Sequence, residues 1–118
     1  MNLALIGYGN VGRALARLLA EKRTEFPFRI TGIHTARHGT AISADGLPLE
    51  PDFGPPAPSA AAFLDASHAR IAVELTTLNP ASGEPAISHI REAFTRGMHV
   101  VTANKGPLAY GYAGLRDE

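Results

Sequence analysis

Asn2-Leu3-Ala4-Leu5-Ile6-Gly7-Tyr8-Gly9-Asn10-Val11-Gly12 opens the chain, and its reading decides the fold. Asn2 to Ile6 is a short, continuously apolar run, as expected of a strand buried on both faces. A GxGxxG turn follows directly. After it, Val11, Ala14, Leu15, Leu18 and Leu19 recur at helical steps, while Arg13, Arg17, Glu21 and Lys22 fall mostly off that stripe. The helical pattern runs through Arg23 and Pro27 breaks it. Phe28 to Thr35 then alternates, with Ile30 and Ile33, and reads as a second strand. Strand, helix and strand at this spacing make one βαβ unit.

That context gives the glycines meaning, because GxGxxG by itself is a weak signal. Gly7 permits a tight turn out of the strand. Gly9 has no side chain to hinder a pyrophosphate at the backbone, and Gly12 lets the helix pack closely. Free N–H groups and the dipole at the helix start favour phosphate charge. The competing reading is a Gly-rich turn without a ligand. After the second strand comes His34-Thr35-Ala36-Arg37-His38, which holds no acid. A carboxylate there would hold the ribose hydroxyls of NAD and repel a 2′-phosphate, whereas an arginine can pair with that phosphate bidentately. The expected cofactor is therefore NADP, with NAD possible, and Arg37 is the candidate phosphate partner. A solvated arginine in a loop is the alternative for Arg37.

The rest of the chain alternates in the same way. Gly39 to Pro58 holds five prolines (Pro48, Pro51, Pro55, Pro56, Pro58) and three glycines (Gly39, Gly46, Gly54). It reads as a long Pro-rich loop with room for one short extended piece, in the manner of a variable surface insertion. Ser59 is a good N-cap for a short Ala-rich helix from Ala60 to about Ala66. Arg70 to Leu75 is a third strand. Thr76 to Glu84 is a loop, and Pro85 suits the first turn of a helix carrying Ile87, Ile90 and Phe94 and ending at Gly97. Met98 to Thr102 is a fourth strand, and a weak helical pattern surrounds Tyr110 to Leu115. These elements predict a single α/β domain over 1–118. It is a Rossmann-like, doubly wound parallel sheet in three α/β/α layers, with about four strands and the second and third flanking the first. Right-handed crossovers put ligands at the carboxyl ends of such strands.

Bulk properties narrow the function. Of 118 residues 45% are hydrophobic and 19% charged, which suits one globular domain. Eleven basic residues balance eleven acidic ones, giving no electrostatic reason to expect nucleic acid or an anionic membrane as partner. No stretch approaches the roughly 18 apolar residues of a membrane span. The absence of cysteine excludes disulfides and thiolate chemistry and fits the cytoplasm.

Two further blocks go beyond a generic fingerprint. One is Val73-Glu74-Leu75-Thr76-Thr77-Leu78-Asn79-Pro80, followed by Gly83-Glu84-Pro85-Ala86. The other is Gly97-Met98-His99-Val100-Val101-Thr102-Ala103-Asn104-Lys105-Gly106-Pro107-Leu108-Ala109. With Gly7 to Gly12 they closely resemble the N-terminal NAD(P)-binding domain of homoserine dehydrogenases. The resemblance covers the chain except for Gly39 to Pro58. It implies an oxidoreductase that interconverts L-homoserine and L-aspartate 4-semialdehyde with NAD(P), in the pathway to threonine and methionine. It also implies that Tyr8, Gly9, Asn10 and Val11 form the cofactor turn and that Thr76 and Thr77 lie beside the nicotinamide half. Lys105 matches a lysine that contacts the cofactor near the substrate.

Hydride transfer to or from an alcohol needs a partner for the hydroxyl proton. A free lysine, with a pKa of about 10.4, is a poor base near neutrality. A protonated Lys105 could polarise an aldehyde oxygen instead, so an electrostatic and cofactor-orienting role is favoured over sole acid/base catalysis. The family's substrate-binding and dimerisation domain should follow the equivalent of Leu115, and this sequence ends at Glu118. The amino-acid substrate, the second lysine and the family's metal site are therefore expected with that further domain. Two readings stay open: a fragment inactive by itself, or a nucleotide-binding or regulatory module without catalysis. The sheet edge after Thr102 could drive homo-oligomer formation. His34 and His38 have a metal spacing suited to a helix, not to a strand end, so no metal site is expected. Glu74, in an apolar strand, should sit near the sheet's end and be satisfied by loop N–H groups or a cation, as a structural clamp.

Overall fold

The computed structural model describes residues 1–76, 82 and 84–102. The βαβ unit forms as expected: β1 (Asn2–Ile6), α1 (Asn10–Glu21) and β2 (Arg29–His34). A short β3 (Thr40–Ile42) follows, then α2 (Ala60–Ser67), β4 (Ile71–Glu74), α3 (Ala86–Thr95) and β5 (His99–Thr102). The sheet order is β3-β2-β1-β4-β5. β1, β2, β4 and β5 are mutually parallel, and β2 and β4 flank β1. The fifth strand, β3, pairs antiparallel with β2. It is the short extended piece at the start of the Pro-rich stretch.

Alternation along β1 assigns the two faces. Leu3 and Leu5 join Tyr8, Ala16, Ile30, Ile33 and Val73 in one core cluster on the α1 side. Ala4 and Ile6 join Phe63, Leu64, Ala72, Ala93 and Met98 in the other, under α2 and α3. Three layers result. The buried line of α1 runs through Gly12, Leu15, Ala16 and Leu19; Val11 and Leu18, which the sequence pattern puts in the stripe, are 59% and 45% exposed. Val11, Leu18 and the exposed Ala14 lie on one flank of Leu15, whereas Gly12, Ala16 and Leu19 lie on the other, so the buried line is rotated around the helix from the expected stripe.

Gly39 to Pro58 does not hang free of the body. Leu47, Leu49 and Phe53 pack against the α1-side core. Gly54 returns to bridge Thr40, its N–H donating to the Thr40 carbonyl at 2.9 Å. A side chain on Gly39 would overlap the Gly54 carbonyl, so the two chain passes touch backbone to backbone.

Helix α2 sits on β2 through a gap in the side-chain layer. Ser59 caps it, its Oγ accepting from the Ala62 N–H at 3.1 Å. At its other end His68 takes the left-handed conformation at φ 50°. A Cβ on Gly32 would lie 2.9 Å from the Phe63 ring and from Ser67 Cβ. Between Leu3 and Ala4 the β1–β2 register shifts, leaving Thr31 as the extra residue. Thr31 is fully buried, and its hydroxyl donates to the Ser67 carbonyl at 2.9 Å. The bulge thus ties β2 to the end of α2.

Two outcomes follow from this packing. Gly32→Val should cost about 1–3 kcal/mol by overpacking Phe63 and Ser67; an unchanged urea midpoint would contradict the close approach. The second outcome concerns His34, stacked on Phe63 at 5.1 Å between ring centroids. Burial pushes its pKa below the ordinary 6.5, and His89 pushes the same way. With the folded pKa lowered, the unfolded chain takes up the proton more readily. The His34 contribution is therefore fully present above pH 6.5 and declines as pH falls below it. Denaturation midpoints measured downward from neutrality should show this decline, and His34→Gln should flatten it.

Candidate functional site

The carboxyl ends of the parallel strands lie in one row. Ile6 is in register with His34 on one side and Glu74 on the other, and Glu74 with Thr102. The turn leaving β1 sits in the middle of that row. Gly7 has φ 101°, a conformation that needs glycine, and its N–H donates to the His34 carbonyl at 2.8 Å. A Cβ there would lie 3.0 Å from the Leu75 carbonyl carbon and 3.1 Å from the Thr76 nitrogen. The turn is therefore pressed flush against the chain leaving β4.

Gly9 is different, since a Cβ on it would meet nothing within 4 Å. It is exposed, as are Asn10 and Val11. Gly9 caps α1 without a side-chain hydrogen bond, and the first helical bond is Arg13 N–H to the Gly9 carbonyl at 2.9 Å. The first-turn amides thus open onto uncrowded space, which is what a pyrophosphate requires. Gly12 is buried, and a Cβ on it would lie 3.2 Å from Tyr8 Cδ1 and 3.3 Å from the Gly7 carbonyl. Three glycines therefore have three different surroundings: one at positive φ against the chain leaving β4, one open and one packed. The open one leaves room for a ligand to approach the backbone.

Tyr8 turns inward and is 8% exposed. Its hydroxyl donates to the Leu49 carbonyl at 2.6 Å, and the Phe53 ring meets it edge-on at 6.4 Å. The Arg13 guanidinium lies over the Tyr8 ring at 4.9 Å and donates to both Glu50 oxygens at 2.8 and 3.0 Å. Burial raises the Tyr8 pKa, so its hydroxyl stays a donor. Residues 49–53 are thereby strapped beside the glycine turn. Sequence reading missed Glu50 and Phe53, because contacts made across about 40 residues leave no local pattern.

Arg37 stands at the end of β2 on a short, well-tied loop. Thr35 Oγ1 donates to the Gly39 carbonyl at 2.8 Å and accepts the His38 N–H at 2.8 Å. The Thr35 N–H donates to the same Gly39 carbonyl at 3.0 Å. Ala36, Arg37 and His38 project outward from this knot. Arg37 makes no ion pair with the described residues, leaving its fork free. His38 faces Phe53 at 6.2 Å. The sequence reading ended the second strand at Thr35 and did not foresee this knot, in which a Thr hydroxyl ties its own loop.

On the other side of the turn, Glu74 ends β4 and is 1% exposed. Its Oε1 accepts from the Thr76 N–H at 2.7 Å and from the Thr76 hydroxyl at 2.6 Å. Its Oε2 lies 2.9 Å from His89 Nδ1 on α3. The loop N–H expected from the sequence is there; the imidazole partner was not foreseen. Thr76 is thus fixed against the glycine turn. Thr77 and Lys105 lie outside the described residues. Gly7, Tyr8, Gly9, Asn10, Val11, Gly12, Arg37 and Thr76 all gather at one end of the sheet, with Tyr8 facing the strap and not the open turn.

Comparison with known proteins gives the family of this fold. The family model for the NAD binding domain of homoserine dehydrogenase matches residues 7–118. The NAD(+)-dependent homoserine dehydrogenase of Pseudomonas canavaninivorans is 39% identical over 97% of this chain and 38% of its own length. The homoserine dehydrogenase of Methanocaldococcus jannaschii is 33% identical over 100% of this chain and 40% of its own. A hyperthermophilic archaeal homoserine dehydrogenase mutant in complex with NADPH superposes with a TM-score of 0.76 at 27% identity, over 98% of this chain and 39% of that one. The chain spans about two fifths of the length of these relatives. It belongs to the homoserine dehydrogenase NAD-binding domain family.

Proposed function

We propose that the chain binds NADP(H), and NAD(H) less tightly, and serves as the cofactor half of a homoserine dehydrogenase. The observation that carries this reading is the open first turn of α1 at Gly9, set between a free Arg37 after β2 and the fixed Thr76 after β4. In a doubly wound sheet the pyrophosphate takes the helix start and the adenosine lies over the end of β2. Arg37 is placed to pair with a 2′-phosphate there, and no acid stands at that strand end to hold the ribose of NAD. The relatives differ on this point: one is named NAD(+)-dependent, while the archaeal structure holds NADPH.

The nicotinamide half then runs toward β4, with Thr76 and Thr77 beside it. Bound there, the nicotinamide would exchange a hydride with the carbon that interconverts between alcohol and aldehyde in L-homoserine and L-aspartate 4-semialdehyde. Lys105 follows the last residue of β5 by three positions in the sequence. In this reading it orients the cofactor and presents an ammonium to the substrate oxygen, which stabilises charge building there in the reducing direction. The share of the relatives' length that this chain matches supports cofactor binding without turnover of homoserine by these 118 residues.

Calorimetric titration of the 118-residue chain with NADPH and with NADH is the direct test. Saturable binding with NADPH preferred is expected; no binding of either by a folded chain would overturn the reading. Arg37→Ala should raise the Kd for NADPH by about tenfold or more, as for loss of a charge-assisted pair, and leave NADH nearly unchanged. Equal effects on both would remove Arg37 from the phosphate role.

A further inference from the structure

Glu74 is a carboxylate with almost no access to water, in a strand that is otherwise Ile71, Ala72 and Val73. A buried carboxylate is tolerated when each oxygen is satisfied. Here one oxygen holds the Thr76 N–H and hydroxyl at 2.7 and 2.6 Å, and the other faces His89 Nδ1 at 2.9 Å. Packing needs none of this, since an apolar residue would fill the place in β4 without requiring a partner on α3.

Its effect falls on the cofactor side. The Thr76 nitrogen that Glu74 holds would lie 3.1 Å from a Cβ on Gly7, so the peptide it fixes is the wall against which the glycine turn rests. That wall lies on the β4 side of the turn, opposite the β2 side that takes the adenosine. The imidazole lies in the first turns of α3 and is 15% exposed, so its orientation is set by the helix. His34, in the same row of the sheet and on the same face, is pushed toward its neutral form by burial, and its Nδ1 is engaged with the Thr40 hydroxyl at 3.0 Å. His89 is thus the imidazole that meets Glu74.

We propose that Glu74 and His89 form a carboxylate–imidazole pair that positions the chain leaving β4 for the nicotinamide half of the cofactor. His89 holds Glu74, and Glu74 holds Thr76. Both act through Thr76, so they are positioning residues. The proposal rests on the cofactor-binding reading above and adds to it which half of the cofactor depends on α3.

The test separates the halves with ADP-ribose, which keeps the adenosine and pyrophosphate of NADH and lacks the nicotinamide. The 118-residue chain, His89→Leu and His89→Asn are titrated with both ligands. Asn carries an amide N–H near the place of Nδ1. His89→Leu should weaken NADH about tenfold, as expected for loss of a bond to a charged group, and leave ADP-ribose within about twofold. His89→Asn should restore NADH to within about threefold of the parent chain. Equal weakening of both ligands, or an unchanged NADH affinity in His89→Leu, would overturn the proposal while leaving cofactor binding intact. Failure of the folded parent chain to bind NADH would instead overturn the cofactor reading, and this proposal with it. Should His89→Leu not fold, Thr76→Val removes the hydroxyl from the other end of the chain of contacts. It should show the same split between NADH and ADP-ribose, and no split would overturn the proposal.

Discussion

The contact between the Gly7 turn and the backbone of Leu75 and Thr76 constrains the rest of the molecule. At φ 101°, Gly7 sends the chain out of β1 at an angle that brings α1 back over the sheet. The same residue, lacking a Cβ, lets the exit of β4 close to van der Waals distance. Two chain passes with parallel strands behind them therefore meet edge to edge, and each strand end becomes part of one surface. Any side chain at position 7 would be strained in its own backbone and would also push the β4 exit away. Helix start, strand end and loop would then separate together.

From that contact the two flanks are built by different means. On the β2 side the support is local and then remote. Thr35 ties the loop that carries Arg37 within a span of four residues, and Tyr8 and Arg13 reach across to Leu49 and Glu50. The Arg13–Glu50 pair is exposed on both sides, and such pairs contribute little by themselves. The buried Tyr8 hydroxyl and the packing of Leu47, Leu49 and Phe53 hold the strap more firmly. On the β4 side the support is a buried carboxylate. One flank is thus held mainly by apolar packing over a broad area, the other by a few short hydrogen bonds around one residue.

This difference explains what could be read in advance. Strand and helix periods are local, so β1, α1, β2, α2, β4, α3 and β5 were all legible from runs, caps and breakers. The Ser59 cap and the Gly97 stop fell where their side chains and backbone freedom require. The position of β3 was not legible, because Thr40–Ile42 is a three-residue edge piece among prolines and glycines. The direction of the α1 stripe was misjudged, since Val11 and Leu18 are more apolar than Gly12 and Ala16, which pack instead and lie about 100° or more away around the helix. What decides their exposure is which side of the helix the sheet takes, and that is a tertiary fact.

The site was legible to a similar depth. Glycines declare themselves through the turn they permit, so Gly7, Gly9 and Gly12 pointed to one place, and Arg37 stands exposed after β2, on the other side of that turn from Thr76. Partners did not declare themselves. Glu74 announced a need, because a carboxylate in an apolar strand must find donors, but which donors depended on how α3 lies over β4. His89 is one of five histidines, and its sequence neighbours Ser88 and Ile90 say nothing of a partner 15 residues back. A buried charge in a sequence is therefore a question addressed to the fold. Here the fold answers it with a helix residue, which couples the outer layer of the domain to the surface where a cofactor would sit. An apolar residue at position 74 would leave α3 packed on the sheet, yet the chain leaving β4 would lose the acceptor that now orients Thr76.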